Sequence, residues 1–204
     1  MRYHWEVIDA SPLRELHLEL ALDDERRSQF VALARRIQGL RRKVLALHPL
    51  SESIGVLSAG VHLGLALGEV SSGTVAMVDA NHRWPAVIPT DDEEARSDED
   101  ERVFATRWIR GSLALLLPRV PGAAGAGVPA LEQLLRSGGE LFAHVLVDLT
   151  GFKRLGELPA ALKLCDGVIA VARAGETTED ELLRMGHELP PEKNLGVLVT
   201  GRER

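Results

Sequence analysis

Lysine is almost missing from this chain. Of 24 basic residues in 204, four are lysines: Lys43, Lys153, Lys163 and Lys193. Cysteine occurs once, at Cys165, and tyrosine once, at Tyr3. A single cysteine excludes a disulfide scaffold. Long apolar runs are absent too. Segments such as Leu113 to Leu117 fall far short of the roughly 20 residues a membrane-crossing helix needs. The start, Met1-Arg2-Tyr3-His4-Trp5-Glu6, has no apolar signal-peptide region, so a cytoplasmic protein is expected. The seven histidines form no zinc-binding pattern, and His187-Glu188 has no second histidine one turn on. Ser58 does not sit in a Gly-x-Ser-x-Gly elbow, which argues against a hydrolase triad.

What is present is a soluble-type composition, 45% hydrophobic and 26% charged, able to bury a core. The net charge of −6 is unevenly spread. Asp91 to Glu101 holds eight acids and one arginine, a net of −7, so the remainder sums to +1. The acidic block reads as a solvated loop. Pro121 to Val128, rich in Gly and Ala, reads as a connector, because no Lys-Ser or Lys-Thr follows it.

Residues Asp23 to Leu47 contain no proline and one glycine, with Phe30, Leu33, Ile37, Leu40 and Val44 at helical spacing. Arg26, Arg27, Arg35, Arg36, Arg41, Arg42 and Lys43 flank that stripe, and Pro49 closes the segment. This predicts an N-terminal helical arm over residues 1–50. Arg35, Arg36, Arg41 and Arg42 are candidate contacts for a protein partner or a second copy. No aromatics interleave with the arginines, so nucleic acid is not an expected partner.

From residue 51 onward, short apolar runs alternate with helical stretches. Strands are expected at Ile54–Leu57, Thr74–Val78, Leu113–Leu117, His144–Val147, Val168–Val171 and Leu195–Val199. Helices are expected at Val61–Val70, Pro129–Arg136, Leu155–Leu164 and Glu179–Glu188. Strands this apolar, alternating with helices, imply an α/β domain over 51–204, with a mostly parallel sheet covered on both faces. Ligands bind such sheets beyond the strand carboxyl ends. Those ends carry Ser58-Ala59-Gly60, Asp79, Asp148 and Arg173. Two buried strands ending in Asp suit magnesium-nucleotide chemistry.

The motif order from about Gln29 to Gly201 resembles the MinD/ParA-like P-loop ATPases, above all the cytoplasmic domain of bacterial tyrosine kinases of polysaccharide export. Asp79-Ala80-Asn81-His82-Arg83-Trp84-Pro85 resembles that family's Asp-x-Asp-x-Arg-x-Pro signature. Val145-Leu146-Val147-Asp148-Leu149-Thr150-Gly151 resembles its Walker B strand. Cys165 to Thr178 and Leu195 to Val199 follow in the family's order. The resemblance implies the P-loop NTPase fold and an ancestral nucleotide site at Ser58, Ala59, Gly60, Asp79, Arg83 and Asp148.

The chemistry departs from that pattern. A phosphate loop needs glycines, a lysine for the β and γ phosphates, and a Ser or Thr for Mg²⁺. Gly55 to Gly60 has glycine spacing, but Val61 and His62 stand where those side chains should be, and no lysine lies between Lys43 and Lys153. The phosphate loop therefore reads as deleted after Gly60. Asn81 replaces the second Asp of the signature, Gly151 replaces the Walker B proline, and the family's C-terminal tyrosine cluster is missing. Asp79 and Asp148 could still bind a metal, but the favoured reading makes them strand-end acids that are hydrogen-bonded or paired with Arg83. Trp84 becomes a candidate to fill the cleft or anchor a partner. The family's assembly helix carries Glu-x-x-Arg-x-x-Arg, against Gln29, Ala32 and Arg35 here. The resulting expectation is a pseudo-ATPase with no cofactor and no metal, acting through protein contacts. The competing expectation is an active ATP-dependent kinase or ATPase with an unusual loop.

Overall fold

The computed structural model describes residues 22–86, 103–119 and 125–201. Tyr3, Trp5, the acidic block 91–101 and the first part of the Pro121–Val128 connector lie outside them. In chain order the elements are α1 (Asp24–Gly39), β1 (Val44–Pro49), α2 (Leu57–Ser71), β2 (Val75–Asp79), β3 (Phe104–Ile109) and β4 (Leu113–Pro118). Then come α3 (Gly127–Gly138), a 3-10 turn (Gly139–Leu141), β5 (His144–Asp148), α4 (Leu158–Leu164), β6 (Gly167–Arg173), α5 (Glu179–Glu188) and β7 (Asn194–Thr200). The sheet runs β3-β4-β2-β5-β1-β6-β7. All pairings are parallel except β3 with β4.

The alternation of side chains across β1 divides the core in two. Leu45 and Leu47 point to one face, with Met77, Leu115 and the α1–α2 pair. Ala46 points to the other, with Val78, Val147, Phe152 and helices α3, α4 and α5. The expected α/β architecture, with helices on both faces, is what the chain forms.

Two corrections concern its start. The helix expected to reach Leu47 stops at Gly39, and Val44–Pro49, placed in the arm by sequence, is a strand near the middle of the sheet. Asp23 caps α1 by accepting the Arg26 amide at 2.7 Å. At the other end Arg41 turns left-handed, with φ of 52°, and breaks the helical path. Val44 and Leu47 happen to continue the helical spacing, and periodicity cannot separate a short buried strand from a helix turn.

The strand expected at Ile54–Leu57 is instead the end of a loop and the first residue of α2. Ile54 and Val56 are buried, at 1% exposure, as anchors of that loop. Gly60 is correspondingly a packing glycine inside α2. A Cβ there would lie 2.5 Å from Met77 Cε and 3.0 Å from Leu47 Cδ1. The glycine lets the helix approach β1 and β2 closely.

Candidate functional site

Parallel register brings three connections together at one end of the sheet. Asp79 and Asp148 are direct partners across β2 and β5, and Leu47 is the partner of Asp148 on β1. Asp148 therefore sits between Asp79 and the loop that leaves β1. The two acids picked out from the sequence are cross-strand neighbours.

Both carboxylates are occupied by their own chain. Asp79 accepts the Asn81 amide at 3.1 Å through Oδ1 and the Ala86 amide at 2.7 Å through Oδ2. Asn81 Oδ1 in turn accepts the amides of Arg83 at 3.2 Å and Trp84 at 2.9 Å. The carboxylate and the amide thus curl residues 79–86 into one compact turn, the local role these short side chains favour. Asp148 accepts the Thr150 amide at 2.8 Å and the Thr150 hydroxyl at 2.5 Å. Burial nevertheless pushes its pKa up to about 6, because desolvation of the charged form outweighs those two bonds.

The third connection, Leu50 to Val56, joins β1 to α2, the strand–loop–helix position a phosphate loop takes. The loop expected to be deleted therefore has a counterpart, ahead of Ser58 rather than after Gly60. Its sequence is Leu50-Ser51-Glu52-Ser53-Ile54-Gly55-Val56, with one glycine and no lysine. Its backbone closes on itself and on β6: the Ile54 amide donates to the Ser51 carbonyl at 3.1 Å, and the Leu50 amide to the Val171 carbonyl at 3.0 Å. Ser58, Ala59 and Gly60 belong to α2; Ser58 is exposed while Ala59 and Gly60 are buried against the sheet.

Across the mouth runs a chain of contacts that no sequence pattern announced. Glu52 pairs with Arg154 Nη1 at 3.5 Å. The Arg154 guanidinium lies 4.5 Å from the centre of the Trp84 ring, and that of Arg83 lies 5.9 Å from it. The three strand-end connections are thus laced by an acid, a cation and an indole. Trp84 keeps 43% of its surface exposed.

Beneath it, Gly151 holds φ of +81°, and a Cβ there would meet Asn81 Nδ2 at 2.9 Å and Trp84 Cε3 at 3.5 Å. Gly151→Ala is therefore expected to cost about 1–2 kcal/mol from the left-handed backbone alone. A lowered midpoint in urea unfolding, with unchanged slope, checks it.

His48 is a second residue the sequence did not single out. It is 5% exposed on β1, its Nδ1 has no hydrogen-bond partner, and burial, reinforced by nearby Lys153, lowers its pKa to about 4. Lys153 itself pairs with Glu188 at 2.7 Å. Cys165 is buried, and its thiol, pushed up to about 12 chiefly by desolvation, is inert as a nucleophile. Among the described residues no group of three or more His, Cys, Asp or Glu could hold a metal ion. None of their helices is long and apolar enough to cross a membrane. Arg35, Arg36, Arg41 and Arg42 are not part of this site. They lie on the last turns of α1 and the link into β1, at the opposite end of the strands.

No protein-family model and no characterised protein sequence matches the chain. Solved structures do. The kinase domain of VpsO superposes with a TM-score of 0.66 at 15% identity, covering 95% of this chain and 98% of that one. The kinase domain of the Escherichia coli tyrosine kinase ETK gives 0.62 at 16%, covering 84% and 75%. A plasmid partition protein from Borrelia burgdorferi gives 0.52 at 12%, covering 80% and 81%. At such identities the likeness speaks for fold, and the chain has the α/β fold of these kinase domains.

Proposed function

We propose that this protein is a non-catalytic member of the tyrosine-kinase and MinD/ParA-like fold, a pseudo-ATPase that works as a scaffold or regulator through protein contacts. The observation that carries this is the β1–α2 connection. A phosphate loop surrounds its anion with free backbone amides and places a lysine on it. Here the loop has no lysine, buries Ile54 and Val56, and offers Glu52 at its rim. A carboxylate there repels phosphate, and its partner Arg154 is already shared with Trp84. Asp79 engages both of its oxygens with backbone amides, and Asp148 engages Oδ1 with the amide and hydroxyl of Thr150. The residues present do not fit a magnesium nucleotide, so no catalytic step is assigned to them.

The strand-carboxyl end then serves as a contact surface, with Trp84 as its anchor. A half-exposed indole stacked on a cation is the kind of residue that dominates protein interfaces. The setting that the resemblance suggests is polysaccharide export, with a catalytically active relative or an export component as partner. Calorimetry with Mg-ATP up to about millimolar is expected to show no saturable heat. Saturable binding, together with ATP turnover that disappears in Asp148→Ala, would replace this reading with that of an active ATPase or kinase.

A further inference from the structure

The end of the sheet opposite the site carries a second surface, independent of the reading above. β1 and β5 are parallel neighbours, so their entry loops lie side by side: Leu40 to Lys43 before β1, and Gly139 to Ala143 before β5. The two loops are tied together. Lys43 Nζ pairs with Glu140 at 3.2 Å, His144 Nδ1 bonds the Arg42 carbonyl at 3.0 Å, and the Val145 amide donates to the Lys43 carbonyl at 2.9 Å. From this joined platform two leucines project into solvent, Leu40 with 46% and Leu141 with 74% of its surface exposed. Leu141 is held in place, because its carbonyl accepts the Thr74 hydroxyl at 3.0 Å.

Around them stand cations without counter-charges. Arg26, Arg27, Arg136, Arg154 and Arg173 each lie within 3.5 Å of a carboxylate. Among the described residues Arg35, Arg36, Arg41 and Arg42 have no such partner. The backbone adds a further observation. Arg41 sits at φ of 52°, and Arg110, on the β3–β4 turn at this same end, at φ of 50°. Left-handed positions favour Gly or Asn, and a long side chain there gains nothing for the fold. Ser72, which leads into β2 at φ of 53°, is a third such position, so the strained turns gather at the strand-entry end of the sheet.

We propose that this end, built from Leu40, Leu141, Arg35, Arg36, Arg41 and Arg42, docks on an anionic lipid surface. Exposed leucines on two joined entry loops, with unpaired arginines on the same end, match an interface in which apolar side chains enter the acyl boundary while guanidiniums stay with phosphate headgroups. An acidic protein would pair with the arginines but would leave two separate leucines without a pocket. Docking this way directs the Asp79, Asp148 and Trp84 end away from the bilayer, free for a partner. No segment needs to span the membrane.

The test is co-sedimentation of the full chain with vesicles of phosphatidylcholine alone or of phosphatidylglycerol and phosphatidylcholine in equal parts. Retention is expected only on the anionic vesicles, and it should collapse in about 0.5 M salt. Each cation near such a surface contributes about fivefold, so R41A/R42A is expected to bind about 25-fold more weakly. Leu141→Ser removes an inserting side chain and is expected to weaken binding about tenfold with no change in thermal midpoint. Equal retention on both vesicle types, or none on either, overturns the proposal. So does retention that both variants leave intact. Binding to polyglutamate that R41A/R42A weakens and Leu141→Ser does not, without anionic-vesicle retention, would make the partner an acidic protein instead.

Discussion

Asp148→Asn is expected to make the protein markedly more acid-sensitive between pH 6.5 and 4. Two buried groups titrate oppositely in that window. Asp148 has its pKa raised from 3.8 to about 6, so the folded state takes up its proton first as pH falls. The cost of holding a buried carboxylate is fully present above pH 6 and is relieved by pH 3.8. His48 has its pKa lowered from 6.5 to about 4, so the unfolded state takes up that proton first. Stability from its neutral form is fully present above pH 6.5 and is lost as pH falls to 4. Each shift is a little over two units, worth about 3 kcal/mol across the window. Their slopes have opposite sign, so in the native chain they largely offset.

Asn at position 148 keeps an oxygen for the Thr150 amide and hydroxyl but cannot titrate. The His48 loss is then no longer offset, and the variant should lose about 3 kcal/mol more than the native protein between pH 7 and pH 4. His48→Leu should do the reverse and gain stability relative to native on the same acid shift. Urea unfolding of the three proteins at a series of pH values reads this out. Parallel curves would show that the two groups do not titrate as their burial requires.

Asp148, like Asp79, was legible in the sequence because each closes a short apolar run. The sheet followed from the same runs: five of the six expected strands stand where the alternation of strand and helix placed them. Reading failed where one short segment satisfied two patterns. Val44 to Leu47 continues the spacing of Phe30, Leu33 and Ile37, and only the left-handed Arg41 separates them, a position where arginine gives no warning. That error moved the first strand ten residues along the chain. Ile54, Gly55 and Val56, apolar for anchoring a loop, carry the same pattern as a strand, which places the phosphate-loop position after Gly60 instead of before Ser58. β3 escapes the pattern because Thr106 and Arg107, one on each face, break its apolar run, as an edge strand permits. The Glu52–Arg154–Trp84 lacing has no local signature at all, since its members come from three connections. His48 likewise reads as one polar residue before a proline until β6 and the Lys153–Glu188 pair close over it.

Phe152→Ala is the substitution expected to damage the site end most. Phe152 is fully buried in the core on the α3–α4–α5 face, although it belongs to a turn. Its amide donates to the Leu149 carbonyl at 3.2 Å, and its carbonyl accepts the amides of Glu157 at 2.9 Å and Leu158 at 3.2 Å. The ring therefore pins the β5–α4 connection that carries Gly151, Lys153 and Arg154. Removing a buried phenylalanine ring typically costs 3–5 kcal/mol, part transfer and part cavity. A domain of this size should lose roughly 10 °C in Tm.

The neighbouring geometry supplies a sharper control. A Cβ added at Gly127, at the start of α3, would meet Phe152 Cζ at 2.9 Å and the Ala80 carbonyl oxygen at 3.0 Å. Gly127→Ala should therefore destabilise the native chain by about 1–3 kcal/mol through overpacking. In the Phe152→Ala background half of that conflict is gone, while the Ala80 carbonyl remains. The double variant should be more stable than the sum of the single losses by about 1 kcal/mol, a coupling that a double-mutant cycle resolves. Strict additivity would mean that the ring does not press on Gly127.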